Sequence, residues 1–250
     1  PASFNPDTLE HLMRRGVNVF RINASHARPA QVRTQVPDLR RIARAQGIAV
    51  GILLDLQGPG IRTGDLPVPL ELSPGDTVEF TVAGAPARLP LSTTVNYDQF
   101  AADVEVGRIL LVDNGELRMR ILEKSSERVV CEALNPARLG SRRHINLPGV
   151  RVSLPALTEK DRADVALGLE LEVDYFAQSF VRDPDDVREL RALVSGAVHP
   201  PALVAKIEHQ FAVDHFPAIA QAADAVMVAR GDLGIECPFE ELPIIQRRIV

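Results

Sequence analysis

The 250-residue sequence predicts an α/β fold on a parallel sheet, with a small antiparallel β domain inserted into it. Near both ends of the chain, segments with helical spacing of apolar residues alternate with short apolar, β-branched runs. Between them, short runs alternate apolar with polar residues and are separated by polar turns, as antiparallel strands are. We therefore expect two parts of one α/β domain at residues 1–65 and 148–250, and the inserted domain at residues 66–147.

The first part contains two predicted helix–strand pairs. Leu9, Leu12 and Met13 recur at helical spacing, and Gly16 follows them as a helix C-terminal glycine would. Gly47 ends a second amphipathic segment in the same way. The predicted elements are a helix at 6–15, a strand at 17–22, a helix at 30–46 and a strand at 48–56.

The insert is predicted to consist of short antiparallel strands. A hairpin turn is indicated by Asp113, Asn114 and Gly115, because Asn and Gly adopt the positive φ angles of tight hairpin loops. A polar turn follows at 124–127. The predicted strands lie at 77–82, 88–92, 109–112, 117–123 and 128–134.

The last part resumes the α/β alternation. Its predicted helices lie at 159–169, 184–194 and 213–222, and its predicted strands at 173–180, 202–207 and 225–229. The strands are apolar through their middles, which is typical of parallel strands covered on both faces. This predicts a (β/α)8 barrel of the TIM type, which takes roughly 250 residues when complete. Since the strands found outside the insert are too few, we expect an incomplete barrel, short at both ends, that is not active alone.

Composition excludes several classes of partner. The net charge of −5 provides no overall basic field, so neither nucleic acid nor an anionic membrane surface is expected as a partner. The sequence has no apolar run long enough to cross a bilayer. Cys131 and Cys237 lie far apart and predict neither a zinc cluster nor a disulfide, which favours a cytoplasmic location. Because the chain starts at Pro1 rather than Met, we expect it to begin partway into a longer sequence.

Polar residues lie at or just beyond the carboxyl ends of the predicted strands, where barrel enzymes carry their chemistry. They are Arg21, Asn23, Ser25 and His26; Asp55 and Arg62; Ser179 and Arg182; Lys206 and Glu208; and Arg230, Gly231 and Asp232. Lys206 and Glu208 are two positions apart and share a strand face, and Asp232 follows the neighbouring strand. Two carboxylates suit a hard cation such as Mg²⁺, and a lysine would neutralise charge on a transferring phosphoryl group.

Each of these residues also has an ordinary structural interpretation. A Lys-x-Glu pair is most often a solvated or structural ion pair, and an isolated Arg21 is more often structural than functional. Asn23 and Ser25 are common turn formers. The position of Lys206 and Glu208 at a strand end, with Asp232 beyond the next strand, favours the functional interpretation.

Six segments fall in register at the predicted strand ends and joints, in the order FRINASH, LLDLQGPGIRTG, INLPGVRVSLPALTEKD, AQSFVRDPDDV, VAKIEHQ and VMVARGDLGIE. Together they resemble the pyruvate kinase family, and the resemblance covers essentially the whole chain. The resemblance implies a cytoplasmic glycolytic enzyme that moves a phosphoryl group from phosphoenolpyruvate to ADP, giving pyruvate and ATP. It also implies a homotetramer for the full-length protein.

The resemblance also implies a role for each matching residue. Arg21 would contact the transferring phosphate and the nucleotide, and Lys206 would stabilise the phosphoryl-transfer transition state and the enolate. Glu208 and Asp232 would bind Mg²⁺ or Mn²⁺, and Gly231 and Asp232 would contact the substrate carboxylate. The implied ligands of a monovalent cation, expected to be K⁺, are Asn23, Ser25, Asp55 and the backbone carbonyl of Leu56. The implied nucleotide-binding residues are Asn23, His26, Arg62 and Arg143.

The sequence departs from the family at several motif positions. Ala24, Ala27 and His209 replace residues that are usually Phe, Gly and Asn. Gly60 stands where members carry Glu, associated with K⁺ dependence, or Lys, associated with independence. Because Gly60 supplies no ammonium group to replace the ion, we expect a K⁺ requirement.

Two other functions remain open from the sequence. One is a non-catalytic fragment derived from pyruvate kinase that binds phosphorylated metabolites or a partner chain. The other is a metal-dependent barrel aldolase, which the inserted β domain and Arg143 disfavour. Retention of Arg21, Lys206, Glu208 and Asp232 argues for catalysis.

Overall fold

A computed structural model describes residues 4–82 and 84–250. These residues form two compact units. The first unit contains the chain up to Pro59 together with Ala156–Ile207 and His215–Val228. The second contains Gly60–Pro155, Glu208–Asp214 and Ala229–Val250.

Helices and strands are numbered along the chain. Up to residue 155 they are α1 (Pro6–Arg14), β1 (Val19–Asn23), α2 (Pro29–Ala45), β2 (Gly51–Asp55), β3 (Ile61–Arg62), β4 (Leu70–Leu72), β5 (Thr77–Val82), β6 (Ser92–Val95), α3 (Phe100–Asp103), β7 (Ile109–Val112), β8 (Leu117–Lys124), β9 (Arg128–Ala133), β10 (Ala137–Leu139) and β11 (His144–Asn146). The remainder are α4 (Glu159–Glu170), β12 (Tyr175–Gln178), α5 (Pro184–Val194), β13 (Ala202–Ile207), α6 (Gln210–Asp214), α7 (Phe216–Ala222), β14 (Ala225–Val228), α8 (Arg230–Glu236), a short 3-10 helix (Phe239–Glu241) and α9 (Leu242–Ile249).

The first unit is built on a parallel sheet in the order β1-β2-β12-β13-β14, the same order as along the chain. All of its neighbouring strand pairs are parallel. Ile52, Leu54 and Phe176 are fully buried within it, as strands covered on both faces require. The predicted α/β class and its parallel strands are confirmed, and the observed strand ends lie within a few residues of the predicted ones.

Helices of the first unit begin at residues suited to capping. Thr158 accepts a hydrogen bond at the start of α4 and Asp183 at the start of α5, as N-cap side chains do. The predicted helix at 213–222 is wrong, because α6 ends at Asp214 and a separate α7 begins at Phe216. Pro217 in the first turn of α7 explains the break, since proline fits the start of a helix and not its interior.

The second unit contains a sheet in the order β3-β11-β7-β8-β9-β5-β6 and a separate pair, β4 with β10. Phe80, Phe100 and Met119 belong to its buried core. Asp113 and Asn114 have φ angles of 54° and 57°, which confirms the predicted hairpin. Ile61 and Arg62 pair antiparallel with Ile145 and His144, so β3 and β11 are hydrogen-bonded to each other.

Two predictions for the insert are wrong. The predicted strand at 88–92 forms instead at Ser92–Val95, and it pairs with β5 in parallel rather than antiparallel. The Arg88 and Leu89 amides donate to the buried carboxylate of Glu79 at 2.6 and 3.2 Å, which holds this stretch as a loop. The short strands β3, β4, β10 and β11 were not predicted. Among the described residues, no helix has the length and apolar character needed to cross a membrane.

Candidate active site

A buried carboxylate joins two cations at the carboxyl ends of β1, β2 and β13. The Asp55 Oδ2 atom lies 2.6 Å from Arg21 Nε and 2.5 Å from Arg21 Nη2. Its Oδ1 atom lies 3.3 Å from Lys206 Nζ. The side chains of Asp55 and Lys206 are only 2% and 10% exposed, whereas that of Arg21 is 50% exposed. The structure therefore brings together these three predicted residues, with Arg21 open to solvent.

A serine links the lysine to the chain that follows β2. Lys206 Nζ donates to Ser179 Oγ at 2.7 Å, and Ser179 Oγ donates to the Leu56 carbonyl at 2.7 Å. Ser179 is buried and directly follows β12, the strand between β2 and β13. The sequence placed Ser179 at a strand end and gave it no function. Its position between the strands that carry Asp55 and Lys206 is the signal that could have identified it.

The loop after β1 is hydrogen-bonded to the end of β2. The Ala24 amide donates to the Asp55 carbonyl at 2.9 Å, and the Ser25 amide donates to Asn23 Oδ1 at 2.9 Å. Asn23 and Asp55 are also register partners in the sheet. The predicted cation ligands thus comprise the last residues of β1 and β2, Asn23 and Asp55, and the residues Ser25 and Leu56 that follow these strands.

His26 is exposed at the end of the same loop. It lines a cavity of about 500 Å³ together with Arg21, Asn23 and apolar side chains of α1 and α2.

The other predicted site residues belong to the second unit. Glu208 directly follows β13 and is 1% exposed. Gly231 and Asp232 lie in the first turn of α8, a helix end that favours negative charge. Within residues 4–82 and 84–250, no three or more His, Cys, Asp or Glu side chains assemble into a metal-binding group.

The two predicted nucleotide-binding arginines of the second unit contact different partners. Arg62 Nη1 donates to the Arg142 carbonyl at 3.2 Å, and Arg62 pairs with His144 across β3 and β11. Arg143 Nη1 lies 3.1 Å from Asp113 Oδ2 at the hairpin turn. The Arg143 side chain is 45% exposed.

Burial shifts the pKa values of two titratable groups near these residues, Glu236 and His144. The pKa of Glu236 is raised by burial and by the charge of Asp232, although Asn146 Nδ2 donates to Glu236 Oε1 at 2.7 Å and opposes the shift. The pKa of His144 is lowered by burial and by the charge of Arg62, against an opposing effect of Asp232. His144 also occupies the space beside Gly60, where an added Cβ would lie 3.3 Å from its Nε2 atom.

Comparison with known proteins identifies the family. A family model described as the pyruvate kinase barrel domain matches residues 1–250. The chain belongs to the pyruvate kinase family. It is 37% identical over 257 residues to the pyruvate kinase of Staphylococcus saprophyticus and 38% identical over 251 residues to plastidial pyruvate kinase 2 of Arabidopsis thaliana. Both comparisons cover 100% of the chain and 43% of the relative, so it spans less than half the length of these relatives.

The same family is found among solved structures. The crystal structure of a pyruvate kinase from Cryptosporidium parvum matches with a TM-score of 0.93 and 33% sequence identity. The match covers 100% of this chain and 52% of that one. The predicted pyruvate kinase resemblance and the incomplete barrel with its β insert are therefore confirmed.

Proposed function

We propose that the full-length protein transfers the phosphoryl group of phosphoenolpyruvate to ADP and forms pyruvate and ATP. The observation that carries this proposal is the buried Lys206 ammonium, held 2.7 Å from Ser179 Oγ and 3.3 Å from Asp55 at a strand end, beside the half-exposed Arg21. Family membership supports the substrate class. The relatives include plastidial enzymes, and for this protein we propose the cytoplasm and a homotetramer.

The proposed reaction makes one bond to phosphorus and breaks another. An oxygen of the ADP β-phosphate attacks the phosphorus of phosphoenolpyruvate, and the bond from phosphorus to the enol oxygen breaks. The electron pair stays on that oxygen as an enolate, which then takes a proton at its methylene carbon to give pyruvate. Arg21 stabilises charge on the transferring group, and the Lys206 ammonium stabilises charge on the enolate oxygen.

The acidic residues of the second unit suit a divalent cation. Glu208 and Asp232 would hold Mg²⁺ or Mn²⁺, and a Mg²⁺ site with two carboxylates takes its other ligands from water and substrate oxygens. Glu208 is buried directly after β13, and carboxylate oxygens are among the ligands that Mg²⁺ prefers. When bound, the cation supplies Lewis-acid polarisation of substrate oxygens. Gly231 and Asp232 would contact the substrate carboxylate.

Oxygen atoms of the first unit suit a monovalent cation. Asp55 Oδ1 is buried and accepts no hydrogen bond, although Lys206 lies 3.3 Å from it. Asn23, Ser25, Asp55 and the Leu56 carbonyl would be the ligands of K⁺. The nucleotide would be bound by Asn23, His26, Arg62 and Arg143.

The assay that tests this function is ADP-dependent formation of pyruvate from phosphoenolpyruvate with Mg²⁺ and K⁺, in the full-length protein. Replacing Lys206 with Ala is expected to lower kcat about 10²- to 10³-fold, the typical loss of an electrostatic stabiliser. Binding of Mn²⁺, followed by electron paramagnetic resonance, should change little.

A matched control is Lys124→Ala, because the Lys124 ammonium donates to the Val104 carbonyl of the second unit at 2.6 Å and is distant in sequence from every proposed site residue. This control should retain activity. Equal losses of turnover and of Mn²⁺ affinity in Lys206→Ala would contradict the role of Lys206. An inactive wild-type protein would contradict the function itself, and pyruvate formed without ADP would indicate an aldolase.

A further inference from the structure

Lys160 stands at an unfavourable position for a lysine. It is the second residue of α4, where the positive end of the helix dipole disfavours cations. Two acceptors compensate for this position. Lys160 Nζ donates to the Ala24 carbonyl at 2.8 Å and to Asp164 Oδ2 at 2.6 Å. The ammonium therefore connects the first turn of α4 to the loop that follows β1.

Asp161, the next residue, contacts a different loop. Its Oδ2 atom accepts hydrogen bonds from the Thr158 amide at 2.9 Å and from Thr158 Oγ1 at 2.6 Å, which closes a capping box. Its Oδ1 atom accepts from the Gly58 amide at 3.0 Å. The carboxylate is fully buried, so both oxygens are committed to fixed donors. The same helical turn thus also holds the loop that follows β2.

These two loops, with the strand ends that they follow, carry the oxygen atoms proposed to bind the monovalent cation. Ala24 lies between Asn23 and Ser25, and Gly58 lies two residues after Leu56. The Gly58 φ angle is +70°, and a Cβ there would come within 2.9 Å of the Ser179 Cβ. The loop after β2 is therefore closely confined, and its hydrogen bond to Asp161 fixes it from the α4 side.

We propose that Lys160 and Asp161 are positioning residues for the monovalent-cation site: together they hold the loops after β1 and β2 at the separation that lets Asn23, Ser25, Asp55 and the Leu56 carbonyl bind one cation. The inference rests on the proposed function. Both Asp161 carboxylate oxygens already accept hydrogen bonds within the protein, and Lys160 donates to the Ala24 backbone carbonyl in the loop after β1. The two residues therefore act on the backbone of the loops and not on substrate. Outer residues of this kind typically change metal affinity by about 10- to 100-fold.

The principal test is Lys160→Met in the full-length protein, which keeps most of the unbranched side chain and removes the ammonium. The K⁺ concentration for half-maximal activity should rise about tenfold, with kcat at saturating K⁺ changed little. Lys160→Arg should restore the wild-type value, because a guanidinium can donate to the same carbonyl. Glu159→Gln is the matched control, since it alters charge in the same helical turn at an exposed residue and should leave the K⁺ requirement unchanged.

Two further measurements do not depend on activity. Amide hydrogen exchange at residues 24–26 should increase in Lys160→Met, and exchange at residues 57–58 should increase in Asp161→Asn. Calorimetric titration with K⁺ should show the same weakening as the activation curve. Because Asp161 is fully buried, Asp161→Asn is interpreted only where thermal unfolding shows a folded protein.

The outcomes separate this inference from the proposed function. An inactive wild-type protein contradicts the function, while hydrogen exchange and calorimetry still test the role of the pair. An active wild-type protein that neither binds nor requires a monovalent cation overturns the inference alone. An unchanged K⁺ requirement in Lys160→Met also overturns the inference. The same holds if Lys160→Met lowers kcat or thermal stability without changing the K⁺ requirement.

Discussion

Asp55 can be tested as the centre of the charge network by a double-mutant cycle with Lys206. Asp55→Asn is nearly isosteric and removes the negative charge between Arg21 and Lys206. Breaking a buried ion pair typically costs about 3–5 kcal/mol, because the remaining buried charge loses its opposite charge. The Lys206 side chain is 10% exposed and that of Arg21 is 50% exposed. Most of the cost therefore comes from losing the contact to the buried Lys206, because water screens the charge of Arg21. Since an exposed pair contributes about 1 kcal/mol or less, we expect about 3 kcal/mol for Asp55→Asn.

Lys206→Met should cost less, about 1–2 kcal/mol, because Asp55 keeps its two contacts to Arg21. The double variant has neither buried charge, so it should be more stable than the sum of the single effects predicts. We expect a coupling free energy of about 1.5 kcal/mol or more, within the range measured for contacting residues. Arg21→Met is the matched comparison and should destabilise by about 1 kcal/mol or less.

The assay is native-state amide hydrogen exchange of the core amides of β2 and β13 in the full-length protein, which reports the free energy of unfolding of this sheet. All variants are compared at neutral pH and in the same salt. Effects of the two single substitutions that add to within about 0.5 kcal/mol would refute the argument, because the two side chains would then not be coupled. A larger cost for Arg21→Met than for Lys206→Met would also refute it.

Two further predictions concern packing and pH. Gly168→Ala should destabilise the first unit by about 1–3 kcal/mol, because the added Cβ would lie 2.5 Å from Phe176 Cζ. The control Gly196→Ala should be neutral, because its added Cβ would have no atom within 4 Å. Equal thermal unfolding temperatures for the two variants would contradict this prediction. Burial raises the pKa of Glu236 above its ordinary 4.5, so the folded state keeps a proton that the unfolded chain releases. The free energy of unfolding of the second unit should therefore fall as pH rises from about 4.5 through the raised pKa, and Glu236→Gln should reduce this slope in urea titrations; an unchanged slope would disprove it.

The parallel sheet was predictable because its central strands are buried on both faces and are apolar through their middles. The strand at Ala202–Ile207 and the helix at Pro184–Val194 were placed at their observed ends for this reason and from the helical spacing. The strands β3, β4, β10 and β11 have two or three residues each, too few to show an alternating pattern. They form through distant partners, as in the pairing of Ile61 with Ile145.

The same distinction applies to the candidate site. Arg21, Asp55 and Lys206 could be predicted because charged residues at the ends of apolar strands stand out in the sequence. The bridging role of Ser179 could not, since its hydrogen bonds join residues 123 and 27 positions away and depend on side-chain conformation. Nor does any local pattern show that His144 fills the space beside Gly60.

The antiparallel pairing of β3 with β11 affects how the parallel sheet can form. The neighbouring strands β2 and β12 are far apart along the chain, since β2 ends at Asp55 and β12 begins at Tyr175. Their pairing must therefore close a long loop. Pairing of Ile61 with Ile145 brings the two ends of most of that stretch together. Once β3 and β11 are joined, the effective loop between β2 and β12 is shortened by most of the insert, which lowers the entropic cost of its closure by about 1 kcal/mol. Early folding of the insert should therefore accelerate formation of the sheet, as expected where the distance between contacts along the chain limits the rate.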